Sequence, residues 1–125
     1  MENFFIKGTD RTPEVDFNFT SGVMSIFGRS ITENPISFYK KLEDYIIEYG
    51  KKPPNKTLFT VTLEYFNTST SKCLVDIFKL LEQFHSTQNE VLVEWYYEED
   101  DEEIKDAGED YKDIVDIPFE IKLLN

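Results

Sequence analysis

Apolar and polar residues alternate early in the chain. Val15, Phe17 and Phe19 are separated by Asp16 and Asn18, Thr20-Ser21-Gly22 supplies turn residues, and Val23-Met24-Ser25-Ile26-Phe27 runs on; this pattern predicts an opening β-hairpin. The period then changes. Asn34 precedes Pro35, and Phe38, Tyr39, Leu42, Tyr45, Ile46 and Tyr49 recur at helical spacing before Gly50 and Pro53-Pro54, predicting a helix capped by Asn34 with Pro35 at its first position. Leu58 to Tyr65 is β-branched, aromatic and alternating, a half-buried strand. Cys73, Leu74, Ile77, Phe78, Leu80, Leu81 and Phe84 return to helical spacing up to His85. A strand at Val91–Tyr97, an acidic helix from about Asp101 to Ile114 and a strand at Pro118–Leu123 complete the order ββαβαβαβ.

Strands separated by helices of this length are joined by right-handed crossovers into a largely parallel sheet. The strands nevertheless alternate: Phe59, Val61, Leu63 and Tyr65 oppose Thr60, Thr62 and Glu64, and Phe119, Ile121 and Leu123 oppose Glu120 and Lys122. A doubly wound sheet, covered on both faces, needs unbroken apolar strands. The expectation is therefore an α/β fold with a mixed sheet and helices mainly on one face, leaving the other wet or held for a partner.

The 125 residues suit one domain, 1–125, able to bury a core without staples. A lone cysteine, Cys73, in the helical stripe excludes an internal disulfide framework and fits a reducing compartment. The amino terminus lacks a basic, apolar leader pattern and no window reaches the length of a membrane span, so a soluble cytoplasmic protein is expected. The formal net charge of −12 disfavours nucleic acid and anionic membrane as partners. Nine of the thirteen residues from Glu98 to Asp110 are acidic against one lysine, so this segment carries most of that charge. Its carboxylates lack the alternating, glycine-centred order of a calcium loop, and the expectation is a solvated or docking face without metal or cofactor.

The densest concentration of modifiable chemistry is Asn67-Thr68-Ser69-Thr70-Ser71-Lys72, which joins the Leu58–Tyr65 strand to the next helix. Ser, Thr and Asn there accept hydrogen bonds from the free N–H groups of the first helical turn. Capping accounts for one or two of them. Four successive hydroxyls, expected to be exposed at the carboxyl end of a strand, point to a phosphorylation switch. Elsewhere the chemistry is sparse. His85, the single histidine, is expected at a helix end as a dipole partner, which rules out a multi-histidine metal site. The five glycines form no phosphate-cradling loop. Trp95 and Tyr97 are expected in the core, with Tyr96 exposed beside Glu94.

Tyr65-Phe66-Asn67-Thr68-Ser69 with Lys72, Asp76-Ile77-Phe78 and Leu80-Leu81-Glu82 resembles the SiaC-type biofilm regulation phosphoproteins. Gly22 to Gly28 with Ser30 and Glu33-Asn34 is similar to that family's hairpin and first helix start, and Trp95-Tyr96-Tyr97 with Asp101-Glu102 and Gly108-Glu109-Asp110 to its carboxyl-terminal pattern. The resemblance, from about Lys7 to Leu123, implies a STAS-like domain related to anti-sigma-factor antagonists. It implies a partner switch phosphorylated at Thr68 by a cognate Ser/Thr kinase, reset by a PP2C-like phosphatase, and in its unmodified form binding and activating a diguanylate cyclase, which ties it to cyclic di-GMP and biofilm. Asn67, Thr68, Ser69, Lys72 and Asp76 are the implied partner-contacting residues. Thr32 stands where relatives often have Pro, and Asn67 where sporulation-type antagonists carry Asp, so Ser69 and Thr70 remain alternative acceptors.

Two rival classes are a small acidic hydrolase, for which Glu64 and Asp76 are the best-placed carboxylates, and a small-ligand sensor. The hydrolase requires one carboxyl raised in an apolar cleft; the sensor requires a pocket.

Overall fold

A computed structural model describes residues 1–124. Its elements are β1 (Phe4–Ile6), β2 (Glu14–Asn18), β3 (Val23–Ser30), α1 (Pro35–Lys51), β4 (Lys56–Phe66), α2 (Thr68–Phe84), β5 (Glu90–Tyr97), α3 (Glu102–Ile114) and β6 (Phe119–Leu123). The six strands lie side by side in chain order. β1, β2 and β3 pair antiparallel, and β3 through β6 pair parallel. Because each parallel crossover advances in the same direction across the sheet, right-handedness places α1, α2 and α3 on one face, as the alternation predicts.

The strand β1 is absent from the sequence expectation. Three residues are too few to show a period, and what holds them is tertiary. Phe4 stacks on Tyr45 at 5.3 Å between ring centroids, the Tyr45 hydroxyl donates to the Glu2 carbonyl at 2.7 Å, and Asn3 Oδ1 accepts from the Phe19 amide at 2.8 Å. The β2–β3 turn depends on Gly22, whose φ is +74° and where a Cβ would run into the Lys56 carbonyl oxygen.

Val15, Phe17, Met24, Ile26, Phe59, Val61, Leu63, Val91, Val93, Trp95 and Phe119 from the sheet meet Tyr39, Leu42, Ile46 and Tyr49 of α1, Leu74, Ile77, Phe78 and Leu81 of α2, and Ile104 and Tyr111 of α3 in one buried cluster. Trp95 is fully buried, as expected, and its Nε1 donates to the Ile104 carbonyl at 2.8 Å. α3 approaches so closely that a Cβ on Gly108 would overlap the Trp95 indole.

One strand departs from simple alternation. The β3–β4 register steps from Gly28↔Leu63 to Arg29↔Tyr65, leaving Glu64 as an extra residue in β4. Such a bulge exchanges the faces of everything that follows. Tyr65, expected inward with Leu63, is turned out and 51% exposed, while Phe66 turns in to meet Trp95 edge-on at 6.0 Å. The bulge thus sets the direction in which the chain leaves the sheet for α2.

Candidate functional site

α2 begins at Thr68, directly after the bulged end of β4, with Asn67 as its cap in extended conformation. Asn67 is held at both ends. Its amide N–H donates to the Ser30 carbonyl at 3.1 Å, its Nδ2 donates to the Thr32 carbonyl at 3.1 Å, and its Oδ1 accepts from the Thr70 amide at 3.0 Å. An aspartate could accept from the helix but could not donate to Thr32, which gives Asn67 a structural reason to be an amide.

The expectation of four exposed hydroxyls is corrected by the helical phase. Thr70 is fully buried, and its Oγ1 lies 2.9 Å from Ser30 Oγ and donates to the Ser30 carbonyl at 3.2 Å. The Tyr39 hydroxyl donates to the same Ser30 Oγ at 2.8 Å, and burial pushes the Tyr39 phenol well above its ordinary pKa. Ser71 is half-buried, with its Oγ 2.8 Å from the Tyr111 hydroxyl of α3. Thr68 and Ser69 alone are exposed. Ser69 Oγ leans on Asn67 Oδ1 at 3.4 Å; among the described residues the Thr68 hydroxyl has no hydrogen-bond partner, the turn's side-chain bonds belonging to Asn67, Ser69, Thr70 and Ser71.

Thr68 and Ser69 stand on the rim of a groove of about 570 Å³ between α1 and α2, whose other walls are Ile36, Lys40, Glu43, Lys72, Cys73 and Asp76. The structure thus brings Thr68, Ser69, Lys72 and Asp76 together and leaves Asn67 beneath them as the cap. Ile36, Lys40 and Glu43 complete the site from α1 and were not singled out in the sequence, although their spacing along the outer face of α1 carries the signal. Partial burial, reinforced by the nearby Asp76 carboxylate, raises the Glu43 carboxyl above its usual range. Cys73 is buried, and burial followed by Glu43 and Asp76 raises its thiol pKa, so it lacks the thiolate character of a nucleophile.

The hydrolase candidates do not converge. Glu64 is the bulge residue bordering a slot on the open sheet face, whereas Asp76 lies in the α1–α2 groove on the helical face. Among the described residues no three His, Cys, Asp or Glu side chains cluster as a metal site, and no helix is long and apolar enough to cross a membrane. A cavity of about 620 Å³ is at the opposite end of the sheet, between Lys56, Leu58, His85, Leu92 and Pro118. His85 there stands at the end of α2 as expected, as its C-cap, and its Nδ1 also accepts from the Val91 amide at 2.9 Å, tying α2 to β5. Tyr96, expected exposed, is half-buried, its hydroxyl donating to Glu94 at 3.0 Å, and Tyr97, expected in the core, is only partly buried against it.

Comparison with known proteins places this geometry in a family. The chain is 29% identical over 125 residues to an uncharacterised protein of Pseudomonas aeruginosa strain UCBPP-PA14, an alignment spanning 98% of this chain and 97% of the relative. SiaC of Pseudomonas aeruginosa superposes with a TM-score of 0.89 at 27% identity, covering 99% of this chain and 100% of that one. The structure of the diguanylate cyclase SiaD in complex with its activator SiaC, from the same organism, gives 0.89 at 26% identity over 97% and 99% of the chains. The family of SiaC regulatory phosphoproteins matches residues 6–124, and the chain belongs to it.

Proposed function

We propose that this protein is a non-enzymatic, cytoplasmic partner switch whose unmodified form binds and activates a diguanylate cyclase, as SiaC activates SiaD, and whose Thr68 is the acceptor of the regulatory phosphate. A cognate Ser/Thr kinase would add the phosphate and a PP2C-like phosphatase remove it. The observation that carries this reading is the contrast within one helical turn. Thr68 is exposed and without a hydrogen-bond partner among the described residues, while Thr70 and Ser71 are committed to Ser30 and Tyr111. A kinase needs the hydroxyl free to reach its active site, and Thr70 could be offered only by unravelling the start of α2. Ser69 is the one accessible alternative.

The physical logic of the switch follows from where Thr68 stands. A phosphate adds about −1.5 to −2 charges and three acceptor oxygens, and the first turn of a helix favours negative charge, so the fold tolerates the modification. An interface built over Thr68, Ser69, Lys72 and Asp76 does not, since a desolvated and unpaired charge costs several kcal/mol and about 1.4 kcal/mol already changes affinity tenfold. The test is reconstitution with the diguanylate cyclase and Ser/Thr kinase of the same organism. Unmodified protein should raise cyclic di-GMP synthesis, kinase treatment should abolish that activation, and Thr68→Val should activate yet resist the kinase. Phosphate found only on Ser69 would move the acceptor by one residue; no phosphate on this turn, or no effect on the cyclase, refutes the switch.

A further inference from the structure

The open face of the sheet carries a feature unrelated to the Thr68 groove. Phe27, Thr62, Tyr96 and Lys122 are successive register partners across β3, β4, β5 and β6, and so point to the same side. Phe27 is 58% exposed. Between it and Tyr96, over the short Thr62 side chain, lies a slot of about 300 Å³ that Glu64, Glu98 and Asp101 also border.

The dimensions of the slot select its occupant. Two strand spacings separate the Phe27 and Tyr96 backbones by roughly 9–10 Å, and a planar group in contact with a ring on each side requires about 7–8 Å between the rings. Tyr96 is a fixed wall, because its hydroxyl donates to Glu94 at 3.0 Å while Lys122 holds the other Glu94 oxygen at 2.6 Å. That ion pair also occupies Lys122. Glu64 and Glu98 are exposed; Asp101 uses Oδ1 to cap α3, and its second oxygen has no hydrogen-bond partner among the described residues. The neighbouring aromatic already receives a cation, with Lys105 Nζ 5.7 Å from the Tyr97 ring centroid. Aromatic faces together with carboxylates suit a guanidinium, which stacks through its plane and donates through its edge. An ammonium also donates and can sit over one ring, but it has no plane to stack between two.

We propose that the slot between Phe27 and Tyr96 receives an arginine side chain from a basic segment of a partner protein, with Glu64 and Glu98 pairing its guanidinium. The acidic segment beginning at Glu98 then steers that partner toward the open face. This surface is distinct from the α1–α2 groove, and its test stands apart from phosphorylation. The full chain is titrated, at fixed ionic strength, with acetyl-Gly-Arg-Gly-amide and with its citrulline and lysine counterparts, following backbone amides by NMR. The arginine peptide should give saturable shifts centred on Phe27, Thr62 and Tyr96. The citrulline peptide should give none, and the lysine peptide should bind at least threefold more weakly. Phe27→Ser and Glu64→Gln, both at exposed positions, should each weaken the arginine peptide at least threefold. Equal binding of lysine and arginine, shifts spread along α3 instead of the slot, indifference to both substitutions, or no saturable binding overturns the proposal.

Discussion

Thr70→Val is the most informative single substitution, because it changes shape hardly at all and removes one oxygen from a closed chain of donors. The chain has a direction. Tyr39 donates to Ser30 Oγ and Thr70 donates to the Ser30 carbonyl, so the single proton of Ser30 must serve the 2.9 Å contact to Thr70 Oγ1. With valine at position 70, the Ser30 carbonyl keeps the Asn67 amide, but the Ser30 hydroxyl becomes a buried donor without an acceptor. That costs about 1–3 kcal/mol, which for a chain of this length lowers Tm by roughly 4 °C per kcal/mol. Urea denaturation followed by circular dichroism measures it directly. Thr68→Val, two residues away on the exposed side, should stay within about 0.5 kcal/mol. In a double-mutant cycle with Ser30→Ala, the two buried hydroxyls should couple by at least about 0.5 kcal/mol. If Thr70→Val proves as mild as Thr68→Val, or the cycle shows no coupling, then Thr70 is not a fixed structural hydroxyl, and the argument that singles out Thr68 loses its basis.

Thr68→Asp should leave stability nearly unchanged, since a carboxylate suits the first turn of α2, while calorimetry should show cyclase binding weakened at least tenfold; tight binding by this variant would contradict the switch. The Lys122 hydrogen bond holds the Glu94 carboxyl below its ordinary value, and the same bond raises Lys122 above its own. A lowered carboxyl contributes stability above its unfolded pKa and loses it as pH falls through the folded value; the raised ammonium contributes below its unfolded pKa and loses it as pH rises through the folded one. The destabilisation caused by Glu94→Gln should therefore be flat across neutral pH and shrink in acid as pH falls below about 4 toward the lowered folded value, and a loss that grows in acid would reverse the assignment. Titration with Ca²⁺ or Mg²⁺ at physiological ionic strength should show no saturable site on α3, because consecutive carboxylates splay around a helix; a stoichiometric isotherm abolished by Asp100→Asn with Glu102→Gln would refute this. Neutralising Asp100, Asp101 and Glu102 together should slow association with a basic partner, Asp101→Asn being the choice that preserves the α3 cap.

The sheet and its helices were legible because their faces are decided by burial, which writes a period into the sequence. Val15, Phe17, Phe59, Val61 and Leu63 keep a period of two, and Leu42, Ile46 and Tyr49 keep the helical one. What escaped the period was decided by single contacts. β1 owes its place to Tyr45 and Asn3, and the reversal of Tyr65 and Phe66 to one unpaired residue, Glu64. No local pattern announces either.

The division of labour among the hydroxyls belongs between these cases. Extending the buried stripe of α2 backwards from Ile77 and Leu74 by three and then four residues reaches Thr70, which is buried with them. Continuing from Asp76 and Lys72 by four reaches Thr68, on the exposed side with both. The phase of the helix therefore separates a structural threonine from an available one, provided the helix starts at the Asn67 cap and not after the hydroxyl run. Reading the run as a loop before the helix discards that phase and makes all four residues equivalent. The lone Ser30 at the end of β3 is the piece no phase supplies: a serine in a strand is unremarkable until the fold brings Tyr39 and Thr70 onto it. Its burial anchors the turn from below, so that the hydroxyl presented above it, at Thr68, is held by the fold in one place for whichever partner arrives.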